Sequence, residues 1–471
     1  MRALLLIAAL TLAGCTVGPN YSRPAVPAPP QFRGTDGATP PAGPPADAAS
    51  LADTKWFNLF HDDVLTQLVN TAIDRNHDLR IAAGRVLEAR EQVRITGAGQ
   101  LPTLDANASF NAVRNSRIGP SRFVPSGISL DSSYTSANFS LNWELDLWGR
   151  LRRETEGARA QYLASEEARR GVLTTLVADV TTSYFQLREL DLELEIARQT
   201  RDNAQDGLRI TTARRDRGVA TGLDVHQAEQ LLYTATSEIA SIERQIGQTE
   251  DAISVLMGND PSDVPRGKAL AALIAPPEVP AGLPSDLLER RPDIRQAEQL
   301  LVAANANIGV AKALYFPKIS LTAVVGSQSR ALTELFTGPA RAWTFGVPIA
   351  TVPVSSAGAV RAAVRLTEAQ KLEAVESYSK AIQSAFREVS DALIGYRKDG
   401  EQRAQLELLV NASRETERLS RLRYVGGLDS YLQVLDAQRN LFQGELDLAR
   451  IRREELLGVV QLYRALGGGW Q

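Results

Sequence analysis

The sequence of 471 residues holds one cysteine, three histidines and two methionines. That leaves no material for a disulfide framework, a zinc centre or a Cys/His nucleophile pair, and His61, His77 and His226 sit in no metal-ligand spacing. Aromatic residues make up only 6%, thin for a long chain with a conventional packed core. Neither sign of charge dominates. With 52 basic and 55 acidic residues the net charge is −3, which gives no global field to gather nucleic acid. No segment after the amino terminus reaches ~18 apolar residues in a row, so no helical membrane span is expected in the mature chain. No glycine-rich phosphate loop precedes a Lys-Ser/Thr pair. Adjacent carboxylates such as Glu166-Glu167 and Glu454-Glu455 lie side by side on helical stretches and cannot face one another across a substrate. The chain does not read as an enzyme.

What is present begins at the amino terminus. Arg2 precedes an apolar run from Ala3 to Leu12, and Leu12-Ala13-Gly14-Cys15 follows. A basic start, a short apolar stretch and small residues before a cut form a secretory signal, here residues 1–14. The run is too short to span a bilayer, which takes ~20 residues. The only cysteine stands directly after Leu-Ala-Gly, so Cys15 reads as the lipidated first residue of the mature protein. Each buried acyl methylene adds ~0.8 kcal/mol of membrane affinity. Thr16 in place of an aspartate at the next position favours the outer membrane over retention at the inner one. Apart from that covalent lipid, no cofactor is expected.

Proline then organises the chain. Residues 15–50 carry nine of the 23 prolines and read as an extended arm leading away from the lipid. No proline occurs between Pro125 and Pro261, or after Pro353. Within those windows residues 151–217 and 360–425 read as Ala/Leu/Arg/Glu-rich helices, each ~100 Å long at 1.5 Å per residue.

The chain also repeats itself. Asp78 to Pro102 aligns without gaps on Asp293 to Pro317, matching Ala82/Ala297, Ala89/Ala304, Ala98/Ala313 and Val93/Ile308. Further on the offset becomes 209 residues, pairing Gly149/Gly358, Arg214/Arg423, Gly218/Gly427, Leu223/Leu432, Ala228/Ala437 and Gly258/Gly467. The organisation expected is repeat 1 over 51–265, a linker over 266–283 and repeat 2 over 284–471. Each repeat contains a helix, two strands, a long helix and a shorter one.

The strands announce themselves by a change of period from helical to two. Leu104, Ala106, Ala108 and Phe110 alternate with Asp105, Asn107 and Ser109, and Phe139, Leu141 and Trp143 alternate with Ser140, Asn142 and Glu144. The expected strands run over about 103–113, 135–147, 318–326 and 342–352. Such alternation suits an ordinary half-buried sheet. It equally suits a membrane barrel, since each run is ~10 residues, the polar positions carry Asp, Asn and Glu, and Trp143 and Trp343 fall on the apolar face as in an interfacial girdle. Four strands cannot close a barrel, and open edges in lipid cost several kcal/mol per unpaired backbone group. The barrel must be shared between chains. Three copies give twelve strands, whereas two give eight and leave no channel. The fold class expected is a mixed one, a transmembrane β-barrel joined to a long α-helical coiled-coil barrel in a trimeric tube.

Several motifs then converge. They are Val17-Gly18-Pro19-Asn20-Tyr21 with Arg23-Pro24, Trp56-Phe57, Asn76-His77-Asp78-Leu79, Trp143 to Arg150 (WELDLWGR), Leu287 to Ile294 (LLERRPDI) and Tyr431 to Arg439 (YLQVLDAQR). With these, nearly the whole mature chain resembles the NodT-like outer-membrane efflux lipoproteins of the TolC superfamily. One departure is Val352-Pro353-Val354-Ser355-Ser356-Ala357-Gly358, where the family often has a Pro-Ile-Phe-Asp-Gly-Gly-like corner. The resemblance implies a homotrimeric outer-membrane channel working with a periplasmic membrane-fusion adaptor and an inner-membrane pump of the resistance-nodulation-division class, with no nucleic-acid partner.

It also implies a periplasmic gate where the paired helices reverse. Asp429, Leu432 and Asp436, spaced i, i+3, i+7, would share a helix face and form rings in a three-fold assembly, with Arg423 and Tyr424 holding the closed state by ion pairs or hydrogen bonds. The tips Gly218, Val219, Thr221, Gly222, Gly426, Gly427 and Leu428 would meet the adaptor. Two other readings stay open: a non-conducting lipoprotein that spaces the envelope, and the duct of a type I secretion-like exporter. Cargo is not legible, although two methionines argue against a copper or silver specialist using thioether ligands.

Overall fold

The computed structural model describes residues 16–27, 29, 31–33, 51, 60–116, 129–273, 286–346 and 357–468. The signal segment 1–14, Cys15, much of the arm, Trp56-Phe57 and Val352 to Ser356 lie outside them. The chain divides into two compact units, one comprising Met1–Pro24, Val86–Ala164 and Ala297–Ser377, the other Ala25–Arg85, Ser165–Gln296 and Tyr378–Gln471.

The order helix, two strands, long helix and shorter helix occurs twice. Helices α1 (Asp63–Arg75) and α2 (His77–Ala98) lead to strands β1 (Thr103–Arg114) and β2 (Asp131–Glu144), then to α3 (Arg150–Asp216) and α4 (Gly222–Leu256). After a single helical turn at Leu287–Arg290, α5 (Pro292–Ala313) leads to β3 (Ser320–Ser329) and β4 (Arg341–Gly346), then to α6 (Ala359–Val425) and α7 (Tyr431–Ala465). Helices α2 and α5 are both 22 residues long, α3 and α6 both 67, α4 and α7 both 35. Freedom from proline permits such lengths. A buried heptad stripe keeps the shorter helices packed: Ala228, Ala235, Ile242 and Thr249 on α4 match Ala437, Gly444, Ile451 and Gly458 on α7. The seven-residue spacing is that of coiled-coil packing, and the small side chains allow close approach.

In the second unit α1 buries Leu65, Leu68, Val69 and Ala72 in a core shared with Val180, Tyr184 and Phe185 of α3 and Leu456, Leu457 and Val460 of α7. Asp62 caps α1 through the Val64 and Leu65 amides and also accepts the Tyr184 hydroxyl at 2.9 Å.

In the first unit the four strands form one antiparallel sheet in the order β1-β2-β3-β4. The register puts Leu104 opposite Leu141, Phe139 opposite Val325 and Val325 opposite Trp343. Asn107 opposite Asn138 and Ser109 opposite Ser136 lie on the other face. One face is therefore apolar and open, with Phe110, Phe139, Trp343 and Phe345 all exposed. The other is polar, with Asn107 donating to the Ser140 hydroxyl at 2.9 Å and the Ser109 and Ser136 hydroxyls 2.8 Å apart. Among the described residues nothing pairs with the outer side of β1 or β4, the edge strands of this sheet.

The strand bounds differ from expectation: β2 begins four residues early, at Asp131, and β3 two residues late, at Ser320. β2 stops at Glu144 because Asp146 turns back to accept the Leu151 and Arg152 amides at the start of α3. β3 continues past Gly326 to Ser329, paired throughout with β2. The part of the fourth expected strand beyond Gly346 lies outside the described residues. Trp143 and Trp343 share the apolar face but not one level: Trp143 stands opposite Leu321, Trp343 opposite Val325 four residues along.

Candidate functional site

The two helix reversals belong to the second unit and are built alike. The amides of Gly218 and Val219 donate to the carbonyls of Arg215 and Arg214, and those of Gly427 and Leu428 to Tyr424 and Arg423. This is the helix-ending motif that requires a left-handed residue, and Gly218 and Gly427 both have φ of 75°. Beyond the turns the two tips diverge. At the first, Thr221 and Asp224 cap α4 reciprocally: the Asp224 amide reaches the Thr221 hydroxyl, and the Thr221 amide reaches the Asp224 carboxylate at 2.8 Å. At the second, Ser430 occupies the capping position but its side chain caps nothing. Instead Arg423 forms a two-pronged pair with Asp429, at 2.5 and 3.2 Å. The guanidinium holds the Asp429 carboxyl below the usual carboxylate range.

Beneath this turn lies a cluster that only the second tip supplies with aromatics. Tyr424 and Tyr431 meet edge-on with ring centroids 5.3 Å apart, among Ala204, Ala228, Leu231, Val434 and Leu435. The Arg214 guanidinium from α3 lies 4.7 Å from the centre of the Tyr424 ring. Both tyrosine hydroxyls are buried without a hydrogen-bond partner among the described residues. Burial pushes the Tyr431 phenol up to about 12.

The expected gate is thus brought together in part. Leu432 (52% exposed) and Asp436 project from the open face of α7, whose other face carries the buried Tyr431, Val434 and Leu435. Asp429, however, precedes α7 and sits in the turn, so it does not share a helical face with them. Tyr424 makes no hydrogen bond through its hydroxyl; it acts by ring packing. Gly218, Val219, Thr221 and Gly222 at one tip, and Gly426, Gly427 and Leu428 at the other, are all exposed. Exposed Val219, Leu223, Val425 and Leu428 give both tips an apolar surface.

In the first unit the segment after Cys15 is seated. The Val17 amide donates to the Trp148 carbonyl at 3.0 Å, and Trp148 stacks on Phe316. Gly18 packs so closely on Gly309 of α5 that a Cβ on it would meet the Gly309 Cα at 2.5 Å. Asn305 donates to the Pro19 carbonyl at 2.9 Å. Glu298 accepts two hydrogen bonds from Arg23, both 2.7 Å, and one from the Tyr21 hydroxyl at 3.0 Å. Thr16 lies against Gly149, at the corner where β2 passes into α3.

The sequence model of the outer membrane efflux protein family matches residues 68–259 and 283–468, most of both halves. The chain belongs to the outer membrane efflux protein family. It is 40% identical over 470 residues to the solvent efflux pump outer membrane protein SrpC of Pseudomonas putida, an alignment covering 100% of this chain and 98% of SrpC. A solved membrane protein from Pseudomonas aeruginosa matches with a TM-score of 0.87 at 35% identity, over 96% of this chain and 100% of that one. The outer-membrane channel OprN matches with a TM-score of 0.88 at 30% identity, over 97% and 100%. This family member is an outer-membrane efflux component, and among its described residues no helix is long and apolar enough to cross a membrane. The sheet is the element with a face suited to lipid.

Two parts of the site escaped sequence reading. Tyr431 opens the YLQVLDAQR motif, but its contact with Tyr424 is not legible there, because an aromatic at a helix start looks like ordinary core; its counterpart in the first half is Gly222. The arm seat of Glu298, Asn305 and Gly309 had a signal, because these positions depart from their aligned partners Ala83, Arg90 and Arg94.

Proposed function

We propose that three copies of this chain close a twelve-stranded barrel in the outer membrane and form the exit duct of a tripartite efflux pump. The observation that carries this reading is the sheet, with one face apolar and open, the other lined by Asn, Ser and Thr, and two unpaired edges. Edges of that kind are untenable in lipid unless neighbouring chains pair with them. Cys15 carries the lipid anchor, and the seat of residues 16–23 supports this by holding the next residue at the end of the sheet. The second tip is the moving gate: Leu432 and Asp436 face the pore, and the Arg423–Asp429 pair holds the turn closed. A membrane-fusion adaptor docks on the exposed apolar tips and couples the duct to a resistance-nodulation-division pump. Cargo includes organic solvents of the kind its relative is named for, with selection residing in the pump.

The test is single-channel conductance of the purified protein in planar bilayers, alongside heat-dependent migration of the oligomer on gels. Leu432→Ala with Asp436→Ser should raise conductance severalfold over the parent. A monomer in detergent with no ion current would leave only an envelope spacer. A conducting trimer insensitive to both changes would place the gate elsewhere.

A further inference from the structure

The hairpin end of the sheet, away from the corner where β2 enters α3, carries a hollow of about 410 Å³ lined by Arg330, Arg341, Ser132, Ser133, Tyr134 and Gln328, among others. Both arginines are exposed, and neither makes an ion pair with any described residue. No carboxylate lines the hollow, and the one carboxylate of the β3–β4 connection, Glu334, stays outside it. The arrangement offers two permanent cations and several hydroxyl donors to an anion.

The surroundings identify the kind of anion. Arg341 lies on the same sheet face as Trp343 and Phe345, at the next alternate positions along β4, so the cation stands at the edge of the apolar band. The β3–β4 connection adds Leu332 and Phe336, the latter 81% exposed. A free phosphate has no use for apolar neighbours. A lipid carries both parts: a phosphate for the guanidinium fork and acyl chains for the phenyl and leucyl side chains.

We propose that Arg330 and Arg341 form a binding site for a phosphate-bearing lipid headgroup, with Leu332 and Phe336 resting on its acyl region. The assignment depends on the sheet being a membrane barrel with this end at the bilayer surface. Occupancy would tie the hairpin end to the leaflet it meets and order the β3–β4 connection.

The experiment is native mass spectrometry of the detergent-solubilised protein titrated with phosphatidic acid, with the matching diacylglycerol, and with inorganic phosphate. Phosphatidic acid should be retained, diacylglycerol should not, and R330Q/R341Q should weaken retention by roughly tenfold. R330K/R341K should keep most of it, and L332S/F336S should weaken the lipid without affecting inorganic phosphate. Equal retention by wild type and R330Q/R341Q would overturn the site. Inorganic phosphate bound as tightly as the lipid would overturn the lipid assignment. Conductance and oligomer migration of R330Q/R341Q, expected unchanged, keep a failure here distinct from a failure of the barrel reading.

Discussion

The two helix reversals share a backbone and differ in how they are held. In the first half, Thr221 and Asp224 satisfy the start of α4 locally, and nothing further along the chain is needed. In the second half the cap is empty, and the turn depends on an exposed Arg423–Asp429 pair over two tyrosines whose hydroxyls have no partner. Exposed ion pairs contribute little and are screened by salt, while a buried unpartnered hydroxyl costs stability. Duplication supplied one geometry; substitution left one copy held by a reciprocal cap and the other by an ion pair over buried tyrosines.

Residue exchanges between the halves sharpen the contrast. The largest effect is expected for Gly309→Arg, which installs the first half's Arg94. A Cβ there already meets the Val17 carbonyl oxygen at 2.8 Å, so the arm must leave its seat. A loss of about 3 kcal/mol is expected, read as a lowered melting temperature. Next is Glu193→Gln, since Gln402 occupies the matching place in α6. Glu193 is pushed up to about 7, first by burial and then by the Glu189 charge, against 4.5 for an ordinary glutamate. Between those values the unfolded chain sheds its proton first, so stability falls as pH rises and the whole cost is present above pH 7. The substitution should therefore stabilise by about 2 kcal/mol at pH 8 and by almost nothing at pH 4, measured by thermal melting at both.

A smaller gain, about 1–2 kcal/mol, is expected from Tyr431→Phe, which removes a buried donor that bonds to nothing. A destabilisation instead would reveal a partner on a neighbouring copy. The smallest effect separates the caps. Thr221→Ala should cost about 1 kcal/mol and Ser430→Ala close to none, by the same melting measurement.

The duplication was legible because it lies in backbone requirements. Gly149/Gly358, Gly218/Gly427 and Gly258/Gly467 all carry positive φ, so the matched glycines mark where α3 and α6 begin and end and where α4 and α7 end. Alternation located four strands and separated their faces, but not the end of β2, because Leu145-Asp146-Leu147 keeps the two-residue period while Asp146 is diverted to capping α3. At the tip, spacing put Leu432 and Asp436 on one open face. It could not place Asp429, since a heptad count continues through a turn that the backbone does not follow. The Tyr424–Tyr431 contact and the arm seat join residues remote in sequence or across a reversal, and local pattern is silent about such pairs.

The equal lengths of α3 and α6, and of α4 and α7, have a consequence for how such a gene can change. Deleting one codon within a helix swings every later side chain by about 100° and draws it back by about 1.5 Å. The sister helix would keep its old phase unless it lost a codon too. Drift in this lineage should therefore alter spelling freely while holding word length fixed, and tolerated indels should come in matched pairs or fall in the connections between helices.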